Sequence, residues 1–166
     1  MNFERIGTIY TPFEDPSKTP RNPRQAAGSR GIVELLPQYA QGLQDLEGFE
    51  RIWLLFQFHV SPGPQLLVKP LLDPEHERGV FATRSPHRPN AIGLSCVHLI
   101  HVDGHMICVE GVDMLNGSPL LDIKPYVPRA DCFEGARIGW LEGKVEPILD
   151  LPNVRPAGDQ DIGGQP

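Results

Sequence analysis

The sequence predicts a mainly β protein, a barrel or folded sheet with one or two short helices, rather than alternating βα units. Three observations carry this. Gly (17) and Pro (18) together make up about a fifth of the 166 residues, which suits many short strands and turns and stays below the level that signals disorder. Short apolar runs rich in β-branched and aromatic residues recur between turn residues. A single stretch shows the apolar spacing of a helix.

Taken in order, "FERIGTIYT" (3–11) reads as a strand. "TPFEDPSKTPRNPRQAAGSRG" (11–31) is a long loop holding four prolines. "GIVELLP" (31–37) is a short strand. "QYAQGLQDLEGF" (38–49) places Tyr39, Leu43 and Leu46 at helical spacing and predicts a short helix. "ERIWLLFQFHV" (50–60) is the strongest buried strand. "GVFATR" (79–84) predicts another strand. "GLSCVHLIHV" and "HMICVEGV" flank Asp103-Gly104, a two-residue hairpin signal. "DMLNGSP" (113–119) is a turn in which Asn116-Gly117 supplies positive φ. "LLDIKPYVP" (120–128) is a strand ending at proline, and "RIGWLEGKV" (137–145) predicts a last one. One domain over residues 1–146 is expected, with a polar tail over 147–166 that is expected to be mobile.

The net charge of −6 argues by itself against nucleic acid, but the charges are unevenly placed. Lys18, Arg21, Arg24 and Arg30 lie in a stretch without an acid between Asp15 and Glu34. Arg78, Arg84 and Arg88 lie in another, from Arg78 to Val102. The acids gather late in the chain, so two basic segments are free to meet on one face. No apolar run reaches the roughly 18 residues of a membrane span. The start lacks a secretory pattern. Cys96, Cys108 and Cys132 are odd in number and lack CxxC spacing, which suits a reducing cytoplasm.

Dinucleotide, Walker A, zincin and nucleophile-elbow motifs are absent from the sequence. His98, His101 and His105 are close in sequence, but strict strand alternation sets His98 and His101 on opposite faces, so no metal site is expected. The segment "FATRSPHRPNAIGL" (81–94) is different. Pro86 and Pro89 stiffen a loop bearing Arg84, Arg88 and Asn90, with no acid among them. Guanidinium forks suit carboxylate or phosphate, so a preorganised anion or polar-ligand loop is expected. In "DMLNGSPLLDIKPY", Asp122 and Lys124 share one strand face, with Tyr126 following. Such a trio suits proton transfer and positioning, and equally an ordinary surface ion pair. "TPRNPR" frames Arg21 and Asn22 with prolines in the basic loop.

Four segments in order, "TPRNP", "LEGFERIWLLFQFH", "GVFATRSPHRPNAIGLS" and "DMLNGSPLLDIKPY", resemble the signature of the TsaA-like (YaeB/TrmO) family of tRNA adenine-N6 methyltransferases. The resemblance runs from about Phe3 to Tyr126. It implies a buckled, mixed-sheet pseudo-barrel in place of a Rossmann fold, S-adenosylmethionine as methyl donor, and a homodimer with the cofactor near its interface. It implies N6 of threonylcarbamoyladenosine at position 37 of tRNA as the substrate. Carried over by segment, Arg21, Asn22, Pro23, His59, Val60, Arg84, Leu94, Asp113, Met114, Leu115 and Asn116 would bind the cofactor. Asp122, Lys124 and Tyr126 would be catalytic, and Arg88 and Asn90 would hold their loop or reach toward RNA. The acidic balance keeps two alternatives open: a small-molecule methyltransferase of the same fold, and a non-catalytic module that binds S-adenosylmethionine or an anion.

Overall fold

Alternating apolar residues fold six strands into a closed barrel. The computed structural model describes residues 3–144. Its strands are β1 (Gly7–Tyr10), β2 (Arg30–Leu35), β3 (Arg51–Gln57), β4 (Leu67–Val68), β5 (Arg78–Gly79), β6 (Ile92–Asp103), β7 (Met106–Glu110) and β8 (Ser118–Pro125). The barrel order is β1-β2-β7-β6-β3-β8, and β4 pairs only with β5. Every pairing is antiparallel, where a mixed sheet was expected. Tight turns and irregular loops join the strands, without the helical crossover that parallel neighbours usually need.

The period-2 pattern puts Ile9, Val33, Ile52, Leu54, Val97, Ile107, Val109 and Leu120 inside, each at 0% exposure. Two glycines permit close approach. A Cβ on Gly7 would fall 2.4 Å from the Glu34 carbonyl oxygen, and one on Gly93 would fall 2.4 Å from the Phe56 ring. Phe56 therefore fills the barrel over a strand that has no side chain at that point.

Several expectations are corrected. Residues 38–49 form 3-10 helices, Pro37–Leu43 and Leu46–Gly48, instead of one α-helix. Asp45 between them takes a left-handed φ of 64°, which interrupts a regular helix. A true α turn, Pro128–Asp131, follows β8. "GVFATR" contributes only Gly79 to a strand; Val80–Ala82 is a 3-10 turn closed by the Thr83 hydroxyl on the Val80 carbonyl at 2.8 Å. The β6–β7 hairpin turns at Gly104-His105, because Asp103 still pairs with Met106. Residues 137–144 hold the 3-10 turn Gly139–Leu141 where a strand was expected, and positive φ at Gly139 (63°) and Gly143 (69°) bends the chain. The expected tail, 147–166, lies outside the described residues.

The reason given against a metal site also changes. A bulge between Leu99 and His101 resets the alternation. His98 pairs with Glu110 and His101 with Cys108, two residues apart on β7, so both histidines face outward. His101 Nδ1 lies 2.7 Å from Glu47, and His105 Nε2 lies 3.6 Å from Glu34. Among the described residues, no helix is long and apolar enough to cross a membrane.

Candidate functional site

The two basic segments meet. One open cavity of about 2750 Å³ is lined by Lys18, Arg21 and Arg24 from the long loop, by Arg84 from the later segment, and by Lys69 from between them. Glu14, Asp15 and Glu110 also line it, so cations predominate without excluding acids. The volume exceeds the roughly 300–1,000 Å³ of a single small-ligand pocket, which leaves room for part of a larger substrate.

Each loop around this cavity is built by its own polar side chains. The Asn22 side-chain oxygen accepts from the amides of Arg24 and Gln25, both at 3.0 Å. Asn22 thus turns the chain and leaves Arg21 exposed on it. Arg88 donates to the carbonyls of Val80 at 3.1 Å and Thr83 at 2.9 Å, and its guanidinium lies over the Phe81 ring. Of the two roles open to Arg88, these bonds favour holding the loop. Asn90 and Arg84 stay exposed. Ala91, just after Asn90, takes a left-handed φ of 44°, with its carbonyl accepting from the Phe58 amide at 2.8 Å.

The turn after β7 is clamped between both ends of the long loop. The Thr11 amide donates to the Asn116 side-chain oxygen at 3.0 Å, and the Thr11 hydroxyl donates to the Met114 carbonyl at 2.9 Å. The Gly111 amide donates to the Ser29 carbonyl at 2.8 Å. Within Asp113 to Asn116, most polar groups are thereby committed. Met114 is buried, the Leu115 carbonyl accepts from the Ser118 hydroxyl at 2.7 Å, and Asn116 also donates to Glu14 at 2.7 Å. Asp113 differs. Its Oδ1 accepts from the Ser95 hydroxyl at 2.5 Å, and Asp113 itself does not line the cavity. Burial pushes its carboxyl up to about 6, against the opposing pull of the Ser95 bond and the Arg84 charge. The buried Ser95 carries no part of the sequence-level site. Its signal was a polar residue at an inward position of an apolar strand.

The remaining expected residues do not all converge. His59 sits over the same turn, its Nδ1 3.5 Å from the Ser118 hydroxyl, with Val60 exposed beside it. Pro23 approaches Gly111 through its carbonyl. Leu94 lies on the outer face of β6, 49% exposed, opposite Leu55. Leu55 is also opposite Asp122, so Leu94 and Asp122 flank one residue on the outside of the barrel. Asp122 and Lys124 share that face and form an ion pair at 2.8 Å, while Tyr126 packs edge-on against Trp53 at 5.7 Å. None of these three lines the cation-rich cavity.

A second group, of which the sequence reading singled out only Arg78, lies behind Trp140, which lines the cavity. The buried Asp73 carboxylate meets Arg78 at 2.5 Å, His76 at 2.8 Å and Lys144 at 3.2 Å. The Arg78 guanidinium, then His76 and Lys144, hold its carboxyl well below the usual carboxylate range. A carboxyl depressed in the folded state contributes stability above its unfolded value and loses it as pH falls. Asp73→Asn should therefore lower the melting temperature at pH 7, with the gap narrowing below about pH 4. Melting curves across pH check this; equal melting temperatures at pH 7 would contradict it.

Comparison with known proteins gives a consistent picture. The family described as tRNA-methyltransferase O N-terminal domain matches residues 8–132. A probable S-adenosyl-L-methionine-binding protein of Pyrococcus abyssi is 44% identical over 146 residues, covering 88% of this chain and 79% of its own. A tRNA (adenine(37)-N6)-methyltransferase of Escherichia coli is 36% identical over 151 residues, covering 86% of this chain and 64% of its own. The crystal structure of TrmO from Pseudomonas aeruginosa aligns with a TM-score of 0.71 at 39% identity, covering 84% of this chain and 62% of that one. The chain thus spans a little over three fifths of the last two.

Proposed function

Because this chain belongs to the tRNA-methyltransferase O N-terminal domain family, we propose that it is a methyltransferase that uses S-adenosylmethionine to methylate N6 of adenosine 37 in tRNA, with threonylcarbamoyladenosine as the form it accepts. The observation that carries this is the meeting of both basic segments around one cavity, with Asp113 in electrostatic reach of the Arg84 that lines it.

The donor set suits the cofactor. An amino-acid zwitterion needs a cation for its carboxylate and an anion for its ammonium. Arg21 and Arg84 line the cavity and suit the first, and Asp113, within electrostatic reach of Arg84, is assigned the second. Bound there, S-adenosylmethionine offers a methyl group on a sulfonium, whose departing thioether is neutral and needs no acid. The protein's share is alignment of the accepting nitrogen, an effect that is worth several kcal/mol of barrier. The loop stapled by Arg88 provides a fixed wall for it, and the turn clamped by Thr11 and Ser29 anchors both ends of the long loop that lines the cavity.

As the new C–N bond forms, the nitrogen gives up its proton. We assign its acceptance to Asp122 or to a water that it orients, with Lys124 positioning the substrate's carboxylate and Tyr126 packed beside them. These residues are on the outside of the barrel, so they would serve a cavity contributed by a second copy. Exposed Leu94 and half-buried Leu55 on that face support a homodimer with the cofactor near its interface.

The test is mass spectrometry of nucleosides from tRNA incubated with protein and S-adenosylmethionine. The tRNA should come from cells with and without the threonylcarbamoyl modification. One added methyl on the modified adenosine, and none on the unmodified tRNA, is expected. Methylation of neither would overturn the tRNA reading and leave a small-molecule substrate.

A further inference from the structure

We propose that Trp140 is a nucleobase-stacking residue, its indole taking a base of the RNA substrate that neighbours the reacting adenosine. This rests on the tRNA-methyltransferase reading above. Trp140 lies beyond residues 8–132 that match the family, on the segment that walls the cation-lined cavity.

The indole is pinned in place. Its Nε1 donates to the Ala82 carbonyl at 2.7 Å. The Arg78 guanidinium lies 5.4 Å from the ring centroid, and Asp73 holds that guanidinium in turn. Lys144, four residues on, reaches the same Asp73 at 3.2 Å. Trp140 lines the cavity and Arg78 does not, so the cation backs the ring while the cavity meets the rest of it. A ring fixed beforehand loses little rotamer freedom on stacking.

The surroundings suit a nucleotide strand. Phe81 lines the same cavity with 73% of its surface exposed, an unusual position for a large aromatic side chain in a soluble domain. Exposed aromatic rings beside a row of cations are the combination used to hold single-stranded nucleic acid, rings for bases and cations for phosphates. Arg21, Lys69 and Arg84 supply those cations here. An RNA base is favoured over the cofactor's adenine on two grounds. The cofactor residues lie inside the family match and Trp140 outside it. The cavity is also larger than one small ligand needs.

Steady-state kinetics with tRNA and calorimetry with S-adenosylmethionine test this together. Trp140→Ala should raise KM for tRNA by on the order of tenfold to a hundredfold. Its kcat at saturating tRNA and its affinity for S-adenosylmethionine should stay within about twofold of wild type. Trp140→Phe keeps a ring but loses the bond to Ala82, and should restore most of the affinity for tRNA. Trp140→Leu keeps apolar bulk to preserve the fold, and should bind tRNA as poorly as Trp140→Ala. An unchanged KM in the Leu variant overturns the proposal, as does a Phe variant as weak as Ala. Weakened cofactor binding with tRNA KM unchanged also overturns it. A wild-type protein inactive on every tRNA would instead defeat the tRNA reading on which it stands.

Discussion

Asp113→Asn should weaken S-adenosylmethionine binding at pH 8 by on the order of tenfold to a hundredfold, while making the barrel more stable. The first effect follows from the local accounting of hydrogen bonds. Oδ1 accepts from Ser95, so the proposed contact with the cofactor's ammonium falls to the other oxygen. Asparagine fills the same space but has no negative charge to offer an ammonium or hydroxyl, and a hydrogen bond to a charged group contributes about 1.5–3 kcal/mol. The second effect has the opposite sign. Burial raises the carboxyl to about 6 from the ordinary 3.8. A carboxyl raised in the folded state favours the neutral form, so its stability contribution is full below about pH 4 and is lost as pH rises through 6. Above pH 6 the native barrel carries a poorly solvated charge at a cost on the order of 3 kcal/mol. Asparagine removes that cost, so the gain in melting temperature should appear between pH 4 and 6 and level off above it. Wild-type cofactor affinity should rise over the same interval, as the carboxylate forms. Thermal melts and titrations across pH check both parts. Equal melting temperatures at pH 8, or full cofactor affinity in the variant, would contradict this account. A site held at some expense to stability is common where function needs a strained or desolvated group.

Leu120→Ala should cost about 2–5 kcal/mol of folding stability. Leu120 is fully buried on β8, the strand that closes the barrel. It is opposite Gly7 on β1 and Phe56 on β3, where the β3–β8 register shifts. Gly7 offers no side chain that could swing into the gap, and a Cβ there already collides with Glu34. The space left by the leucine would thus stay mostly unfilled, and unfilled cavities add to the transfer cost. Urea unfolding checks this. A midpoint corresponding to a loss below about 1 kcal/mol would mean that the seam repacks.

Much of the barrel was legible because its physics is local. Strict alternation in "RIWLLFQ" places Ile52, Leu54 and Phe56 inside, as found. Gly117, with φ 76°, makes the turn that "LNGS" announces. What failed depended on neighbours distant in sequence. The bulge after Leu99 comes from pairing with β7, and alternation within β6 cannot reveal it. The apolar spacing of Tyr39, Leu43 and Leu46 suited a helix, yet left-handed Asp45 splits the stretch into 3-10 pieces.

The site divides in the same way. The two acid-free basic segments were visible in the charges, and their convergence on one cavity follows from the barrel's loop placement. The partnership of Ser95 with Asp113 joins two strand-end segments 18 residues apart, and no sequence spacing states it. Asp73 and Lys144 are farther apart still, Lys144 in a stretch that read as a strand and Asp73 in one with no motif to mark it.

Calorimetric titration of S-adenosylmethionine into the wild-type chain, repeated with Arg84→Ala and Asp113→Asn, tests the central claim most directly. The account predicts saturable binding to the wild type and weakening by on the order of tenfold or more in each variant. Absence of binding to the wild type, or binding unaffected by both substitutions, would contradict it.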